Sequence, residues 1–199
     1  VGFETTAPTV AAAVIAAEGR GLKNFSVVSA HKLLPPAMDA LLSGGELDVS
    51  GFICPGHVSV VIGTKPYEVV AAHYGTPCVV VGFEPVDILH GIFMLVSQIE
   101  AGKSRVEIQY TRAVVPEGNP NAVNTMHRVF EPCDAPWRGL GVIPKSGLAF
   151  REAYRAFDAE DQFDLDVPDS PEPPGCKCAE ILRGVVTPVD CKLFRRACN

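Results

Sequence analysis

Four of the seven cysteines stand together near the C-terminal end, as Cys176, Cys178, Cys191 and Cys198. Fourteen residues separate Cys176 from Cys191, and six separate Cys191 from Cys198. A thiolate-rich site in a short segment selects iron-sulfur clusters or zinc over hard cations. The spacing leaves open a zinc site that uses all four thiols and a cluster that uses three of them with a fourth ligand from elsewhere. Unconnected surface thiols are the remaining interpretation.

Glu4, Thr5 and Thr6 form a second polar group, in a turn between a strand end and a helix that begins near Pro8. Open α/β sheets bind ligands at the carboxyl ends of their strands. Thr5 or Thr6 can cap the helix, but capping does not explain a carboxylate in the same turn. The turn is therefore a candidate binding site.

A thiol, an imidazole and a hydroxyl lie within six residues of one another, at Cys54, His57 and Ser59. A Cys-His pair can act as a nucleophile and its base. Such pairs are usually distant in sequence, and a single Cys or His near a strand is more often packed and inert. Both interpretations stay open, and His31, which follows another predicted strand, is treated in the same way.

Short apolar runs alternate with helical periodicity up to about residue 150, which is typical of an α/β sheet covered by helices. Strands are predicted at 25–29, 51–53, 58–62, 78–82 and, at a sheet edge, 106–115. Their Val-rich, non-alternating composition favours parallel strands buried on both faces. Proline and glycine predict helices from 35 to 44, from 66 to 75 and from 119 onward.

The clearest predicted helix runs from 85 to 100 and ends before Gly102. Eight of its side chains form a wide apolar face at helical spacing. They are Val86, Ile88, Leu89, Ile92, Phe93, Leu95, Val96 and Ile99.

The tripeptide Gly-Phe-Glu occurs at 2–4 and again at 82–84, each time leading into a helix. Two lobes of one design would produce this recurrence, although short glycine turns also recur by chance. The acidic, proline-rich stretch 164–175 predicts an extended linker. The cysteine-rich segment after it is too short to be stable by hydrophobic burial alone, so a metal or another lobe must support it.

The composition excludes several classes of partner. The 199 residues are 47% hydrophobic, with a net charge of -6 and a pI near 5.3. Without basic runs, binding to nucleic acid or an anionic membrane surface is not expected, and no apolar stretch is long enough to cross a bilayer. The segregated cysteines favour a metal site in a reducing cytoplasm over a disulfide framework.

Several motifs together resemble the HypD family of hydrogenase maturation factors. They are GFETTAPT at 2–9, SAHKLLPPAM at 29–38, CPGHVSVVIG at 54–63, GFEP at 82–85 and RGLGVIP at 138–144. Cys176, Cys191 and Cys198 also match the first three positions of the family's Cys-x14-Cys-x6-Cys-x16-Cys cluster motif. The fourth position would fall beyond Asn199, so we expect further sequence on both sides of an internal fragment.

The resemblance implies an α/β fold with two related lobes, mainly parallel sheets and a small iron-sulfur module. The lobes would occupy 1–163, with 1–25 and 116–163 in the first and 26–115 in the second, followed by the 164–175 linker and the 176–199 module. Cys176, Cys191 and Cys198 would bind a 4Fe-4S cluster beside Cys178, a possible redox thiol. A central cleft would be lined by Glu4, Thr5, Thr6, His57, Val58, Ser59 and Gly63.

The family's function implies a cytoplasmic assembly scaffold with redox activity rather than a conventional turnover enzyme. Such a protein holds iron while cyanide and carbon monoxide are added, together with a HypC-type chaperone and a HypE-type cyanide donor. The family's iron-binding and paired redox cysteines lie upstream of GFETT and are absent from these residues. The alternatives are a zinc-stapled α/β interaction module and a thiol enzyme that uses Cys54 with His57.

Overall fold

A computed structural model describes residues 1–44, 47–163 and 171–198 and confirms an α/β fold. The α-helices are α1 (Ala7–Gly19), α2 (Leu34–Ser43), α3 (Gly56–Ile62), α4 (Lys65–Tyr74), α5 (Pro85–Glu100), α6 (Pro120–Val129), α7 (Ala159–Gln162) and α8 (Cys178–Leu182). The strands are β1 (Phe52–Pro55), β2 (Cys78–Val81), β3 (Val106–Ile108), β4 (Phe130–Trp137) and β5 (Gly141–Phe150). Short 3-10 helices occur at Glu152–Phe157 and Pro188–Asp190.

A three-stranded parallel sheet with the order β1-β2-β3 forms one part of the fold. All four residues of the central strand β2 are at most 2% exposed. A strand covered on both faces needs apolar side chains at every position, which is why the Val-rich run at 78–82 predicted it correctly. The prediction that 106–115 lies at a sheet edge is also confirmed, but only Val106–Ile108 is a strand.

Proline and glycine mark the predicted helix ends correctly. Helices α2, α4, α5 and α6 each carry proline in the first turn, where its missing N–H costs nothing. Gly75 and Gly102, just after α4 and α5, have φ values of +64° and +60°. Glycine adopts this left-handed conformation without strain, so both helices end where the sequence predicts.

Two predicted strands were wrong. Residues 58–62 belong to α3, whose buried face presents Val58, Ser59 and Val61 to the protein interior. The β-branched composition favours a strand, but burial of this helical face overrides that weak preference. In the 25–29 segment, Val27 makes an isolated bridge to Asp158 instead of joining a ladder within the described residues.

Helix α5 packs on the sheet through its less apolar side. Asp87, Gly91 and Gln98 are buried against the sheet, whereas seven of the eight apolar side chains of its predicted face are at least 41% exposed. The helical spacing is therefore confirmed, and most of this apolar face points to solvent.

Two hydrophobic clusters stabilise the fold. The first joins α1 to α6, β4 and β5, with Val14, Phe130 and Leu148 at its centre. The second lies between the parallel sheet and α4, around Tyr67 and Val80. The division into two related lobes and its boundaries remain a prediction, and residues 164–170 of the predicted linker lie outside the described residues. In the described ranges, no helix is long and apolar enough to span a membrane.

Candidate functional site

The four C-terminal thiols surround one cavity of about 270 Å³. Cys176 and Cys178 approach it from the start of α8, and Cys191 and Cys198 approach it from the chain that follows. The rest of the wall is mainly apolar, with Ile181, Leu193, Phe194 and Ala197 among its residues. The structure therefore brings together all four cysteines of the C-terminal group.

The surroundings of Cys191 favour its thiolate form, because they lower its pKa. Backbone N–H groups of Leu193, Lys177 and Phe194 point at its sulfur and lower its pKa, although burial opposes them. Backbone N–H groups that converge on a cysteine sulfur also stabilise a metal-bound thiolate. In contrast, a hydrogen bond with Cys176 and partial burial raise the pKa of Cys178.

Arg138 brings a positive charge to the same cavity from the β4–β5 hairpin. The hairpin turn lies so close to α8 that a β-carbon on Gly139 would stand 2.9 Å from the Ala179 nitrogen. Glu172 accepts a hydrogen bond from the Gly139 N–H. Sequence reasoning did not assign Arg138 to the site, although the glycines of the RGLG turn were a signal of close backbone approach.

Among the described residues, the four thiols share a cavity but are not grouped as a metal site. Across the described residues, no three His, Cys, Asp or Glu side chains are grouped so that they could hold one metal ion. Soft donors, an apolar wall and N–H groups directed at Cys191 are the chemistry an iron-sulfur cluster requires.

Glu4 is 2% exposed and lies at the start of α1. Its Oε1 accepts a hydrogen bond of 2.9 Å from the Leu34 N–H, and its Oε2 has no partner among the described residues. Burial raises the pKa of Glu4 above its ordinary value. A buried carboxylate with one unsatisfied oxygen is costly, so Glu4 is the best candidate in this turn for contact with a ligand.

The two threonines beside Glu4 are placed differently. Thr6 occupies the N-cap position of α1, but its hydroxyl donates to the Phe3 carbonyl at 3.2 Å instead of capping a described backbone N–H. Thr5 is half-buried in the same turn. The capping role considered for these residues is not observed.

His57 lies in the first turn of α3 with its imidazole exposed. Its ring centroid is 4.2 Å from that of Phe83 and 6.5 Å from that of Tyr110. The Arg112 guanidinium lies over the Tyr110 ring, 4.6 Å from its centroid. An exposed imidazole is available as a metal ligand.

Ser59, in contrast, is fully buried. Its hydroxyl donates to the Pro55 carbonyl at 2.9 Å and lies 3.2 Å from the Tyr67 hydroxyl. The nearby Glu4 carboxylate contributes to a raised pKa of Tyr67, whose main cause is burial. Ser59 therefore stabilises α3 from the protein interior, next to Tyr67, which the sequence identified as a core residue.

Cys54 has the properties of an inert thiol. It is 1% exposed and packs in the second hydrophobic cluster. A hydrogen bond with Cys78, together with burial, raises its pKa well above the ordinary value. A nucleophilic cysteine needs the opposite conditions, which argues against a Cys54–His57 enzyme.

His31 is 2% exposed, with its Nδ1 at 3.3 Å from the Ser29 hydroxyl. Burial lowers its pKa, so the neutral ring is favoured. The Ser29 hydroxyl also donates to the Leu148 carbonyl at 2.6 Å. Ser29 thus joins this segment to β5, while the Nε2 of His31 has no partner among the described residues.

Asp87, in the first turn of α5, forms an ion pair with Arg112. The sequence did not predict this pair, because the two residues are 25 positions apart. The Asp87 carboxylate accepts hydrogen bonds from Arg112 at 2.9 and 2.5 Å and from the Gln109 amide at 2.9 Å. The Arg112 guanidinium and the Gln109 amide lower the pKa of Asp87 to about 2. The pair fixes the start of α5 beside His57 and Phe83.

Fold and site together define an α/β protein with a thiol-lined cavity near its C-terminal end. The HypD family model, described as "Hydrogenase formation hypA family", matches residues 1–199. The chain therefore belongs to the HypD family of hydrogenase maturation factors.

Three relatives illustrate this membership, and the whole chain aligns with each of them. It is 48% identical to the hydrogenase expression/formation protein HupD of Azotobacter chroococcum and 46% identical to the hydrogenase maturation factor HypD of Azotobacter vinelandii. It is 43% identical to the hydrogenase maturation factor HypD of Cupriavidus necator. In each case the chain covers 54% of the relative, so it spans about half the length of these proteins.

Proposed function

We propose that the chain forms part of an assembly scaffold with redox activity that builds the Fe(CN)2CO centre of [NiFe]-hydrogenase. The observation that supports this most directly is the convergence of Cys176, Cys178, Cys191 and Cys198 on one cavity. Membership of a family of maturation factors supports the same conclusion.

Cys176, Cys191 and Cys198 would hold a 4Fe-4S cluster, with a fourth ligand from beyond residue 199. Such a cluster supplies single electrons when it is bound. Within this chain, backbone hydrogen bonds lower the pKa of Cys191, and the wall of the cavity is mainly apolar. Cys178 lines the same cavity and would act as a neighbouring redox thiol.

Iron with its cyanide and carbon monoxide ligands is the cargo in this proposal. The exposed His57 imidazole would contact it, and Glu4, Thr5 and Thr6 would line the same cleft. Ser59 would hold α3 in position beside the cleft, through its hydrogen bond to the Pro55 carbonyl. A HypC-type chaperone would carry the iron and a HypE-type protein would donate cyanide, all in the cytoplasm.

The cluster is tested by metal and sulfide analysis of the anaerobically purified full-length protein. We expect iron and acid-labile sulfide in the unaltered protein and loss of most of both in Cys191→Ser. Cys133→Ser is the matched control, because Cys133 lies in β4 and does not line the thiol cavity. Zinc without iron would instead favour the zinc-stapled module.

The cargo site is tested separately with His57→Ala. We expect this variant to keep its cluster but to retain less of the iron that the chaperone delivers. His73→Ala is the control, since His73 is an exposed histidine on α4. Equal iron retention by both variants would remove His57 from the proposed site.

A further inference from the structure

The β4–β5 turn, residues 138–141, lies on a rigid base. The two strands pair up to its edge, where Trp137 faces Gly141. The indole N–H of Trp137 donates to the hydroxyl of Ser146, which is fully buried, at 2.7 Å. Because β4 and β5 also supply residues of the first hydrophobic cluster, the turn has a fixed position relative to α1 and α6.

The β4–β5 turn contacts the backbone of α8, just after Cys178. A β-carbon on Gly139 would stand 2.9 Å from the nitrogen of Ala179 and 3.2 Å from its Cα. Backbone atoms cannot rotate away from such a contact as the end of a flexible side chain can. The φ of Gly139 is +78°, which also favours glycine. Glycine at this position therefore permits the approach of α8 to the turn.

The same glycine also holds the chain before Cys176. The Gly139 N–H donates to the carboxylate of Glu172. The Cys176 N–H in turn donates to the Pro173 carbonyl at 3.0 Å, and Pro173 lines the thiol cavity together with Arg138. Gly139 is thus bound to the chain four residues before the first thiol.

The segment held by these two contacts covers the thiol of Cys191. The Cys191 sulfur lies 3.9 Å from the Gly175 carbonyl oxygen, to which its thiol donates. The Lys177 N–H points at the same sulfur. Cys191 is only 8% exposed, so movement of residues 172–179 away from the β4–β5 turn would uncover it.

We propose that Gly139 and Glu172 are positioning residues that hold Cys176 and Cys178 at the thiol cavity. Glu172 acts through the chain before Cys176, and Gly139 acts through the space that it leaves for α8. Together they set the positions of these two thiols relative to Cys191. The inference rests on the proposed function for the identity of the bound group, a 4Fe-4S cluster.

The test measures the alkylation of individual cysteines by iodoacetamide in the full-length protein, after a chelator has removed iron under reducing, anaerobic conditions. The pH is kept above the ordinary pKa of cysteine, so that the rate reports access to the thiol. We expect Gly139→Ala to speed the alkylation of Cys191 about tenfold, because the added carbon pushes α8 away from the turn. Cys54, which is 1% exposed in the second hydrophobic cluster, should keep its slow rate.

Gly141→Ala is the matched control. Gly141 lies in the same turn with a similar φ of +72°, but no described atom lies within 4 Å of an added β-carbon. The two variants therefore share the strain of a left-handed alanine and differ in the contact with α8. Gly141→Ala should change the alkylation rate of Cys191 less than about twofold.

Glu172→Ala tests the second contact without a change in the turn itself. Loss of the hydrogen bond from the Gly139 N–H should speed the alkylation of Cys191 about tenfold. Glu172→Gln keeps a side-chain oxygen that accepts this hydrogen bond, so it should restore most of the protection. In the cluster-loaded protein, iron should pass to a chelator faster in Gly139→Ala and Glu172→Ala than in the two other variants.

Three results would overturn the positioning role. The first is an alkylation rate of Cys191 that is equal in Gly139→Ala and Gly141→Ala and unchanged in Glu172→Ala. The second is an equal rise at Cys54 and Cys191, which would attribute the effect to general unfolding. The third is equal iron release from all four variants. Absence of iron and sulfide from the unaltered protein would instead contradict the proposed function, and the alkylation of Cys191 would still decide the positioning role.

Discussion

Substitution of Gly91 tests whether α5 packs with its apolar face outward. A β-carbon at Gly91 would approach Val81 Cγ2 to 2.4 Å. Val81 is 2% exposed on the central strand, and its branched side chain has few alternative rotamers. Alanine in a helix normally stabilises by about 1 kcal/mol relative to glycine, but overpacking costs about 1–3 kcal/mol. We expect Gly91→Ala to lower the free energy of unfolding by about 1 kcal/mol net.

Urea and thermal unfolding of the 199-residue chain measure this change, which corresponds to a fall in Tm of about 2–4 °C. Gly19→Ala is the control, since Gly19 ends α1 with no described atom within 4 Å of the added carbon. It should be neutral or stabilising by up to about 1 kcal/mol. Val81→Ala makes room for the added carbon, so on that background Gly91→Ala should cost less. If Gly91→Ala stabilises as much as Gly19→Ala, the described packing of α5 is incorrect.

Three further predictions concern charge and hydrogen bonding. Arg112 holds the pKa of Asp87 at about 2, below the ordinary 3.8. The contribution of this carboxylate to the free energy of unfolding is therefore complete above pH 3.8 and is lost as the pH falls towards 2. Asp87→Asn should remove this part of the acid transition when unfolding is measured as a function of pH. In the cluster-loaded full-length protein, Arg138→Gln should lower the midpoint potential in a redox titration, because a nearby cation favours the more negative reduced cluster, and Arg138→Lys should retain it. Trp137→Phe removes a 2.7 Å hydrogen bond to Ser146 and should cost about 1 kcal/mol of stability by denaturant unfolding.

Helix ends were predictable because their causes are local. Proline in the first turn and glycine just beyond the last act through the backbone of a few neighbouring residues. The ends of α4 and α5 at Gly75 and Gly102 follow from this. The buried strand β2 was equally predictable, because a run of four apolar residues between two helices is typical of a buried strand.

Segment 58–62 shows where local reasoning fails. Its composition, Val-Ser-Val-Val-Ile, favours a strand. Its helix buries Val58 and Val61 and places Ser59 beside Tyr67, contacts that come from residues outside the segment. Periodicity likewise located α5 and its apolar face, but which side meets the sheet depends on the close approach of Gly91 to Val81.

For the candidate site, residue chemistry was more informative than residue position. Soft ligands clustered in a short segment predicted that the C-terminal cysteines would share a site, and they line one cavity. Arg138 reaches that cavity across more than 35 residues of sequence, from Arg138 to Cys176. Such a long-range contact leaves no periodic signal, and only the glycines of its turn suggested close packing.

Phe83 lies between His57 and the apolar face of α5. The residue is 56% exposed, its ring centroid lies 4.2 Å from that of His57, and only Glu84 separates it from α5. The Asp87–Arg112 pair fixes the first turn of α5, so Phe83 is held between the imidazole and the apolar face.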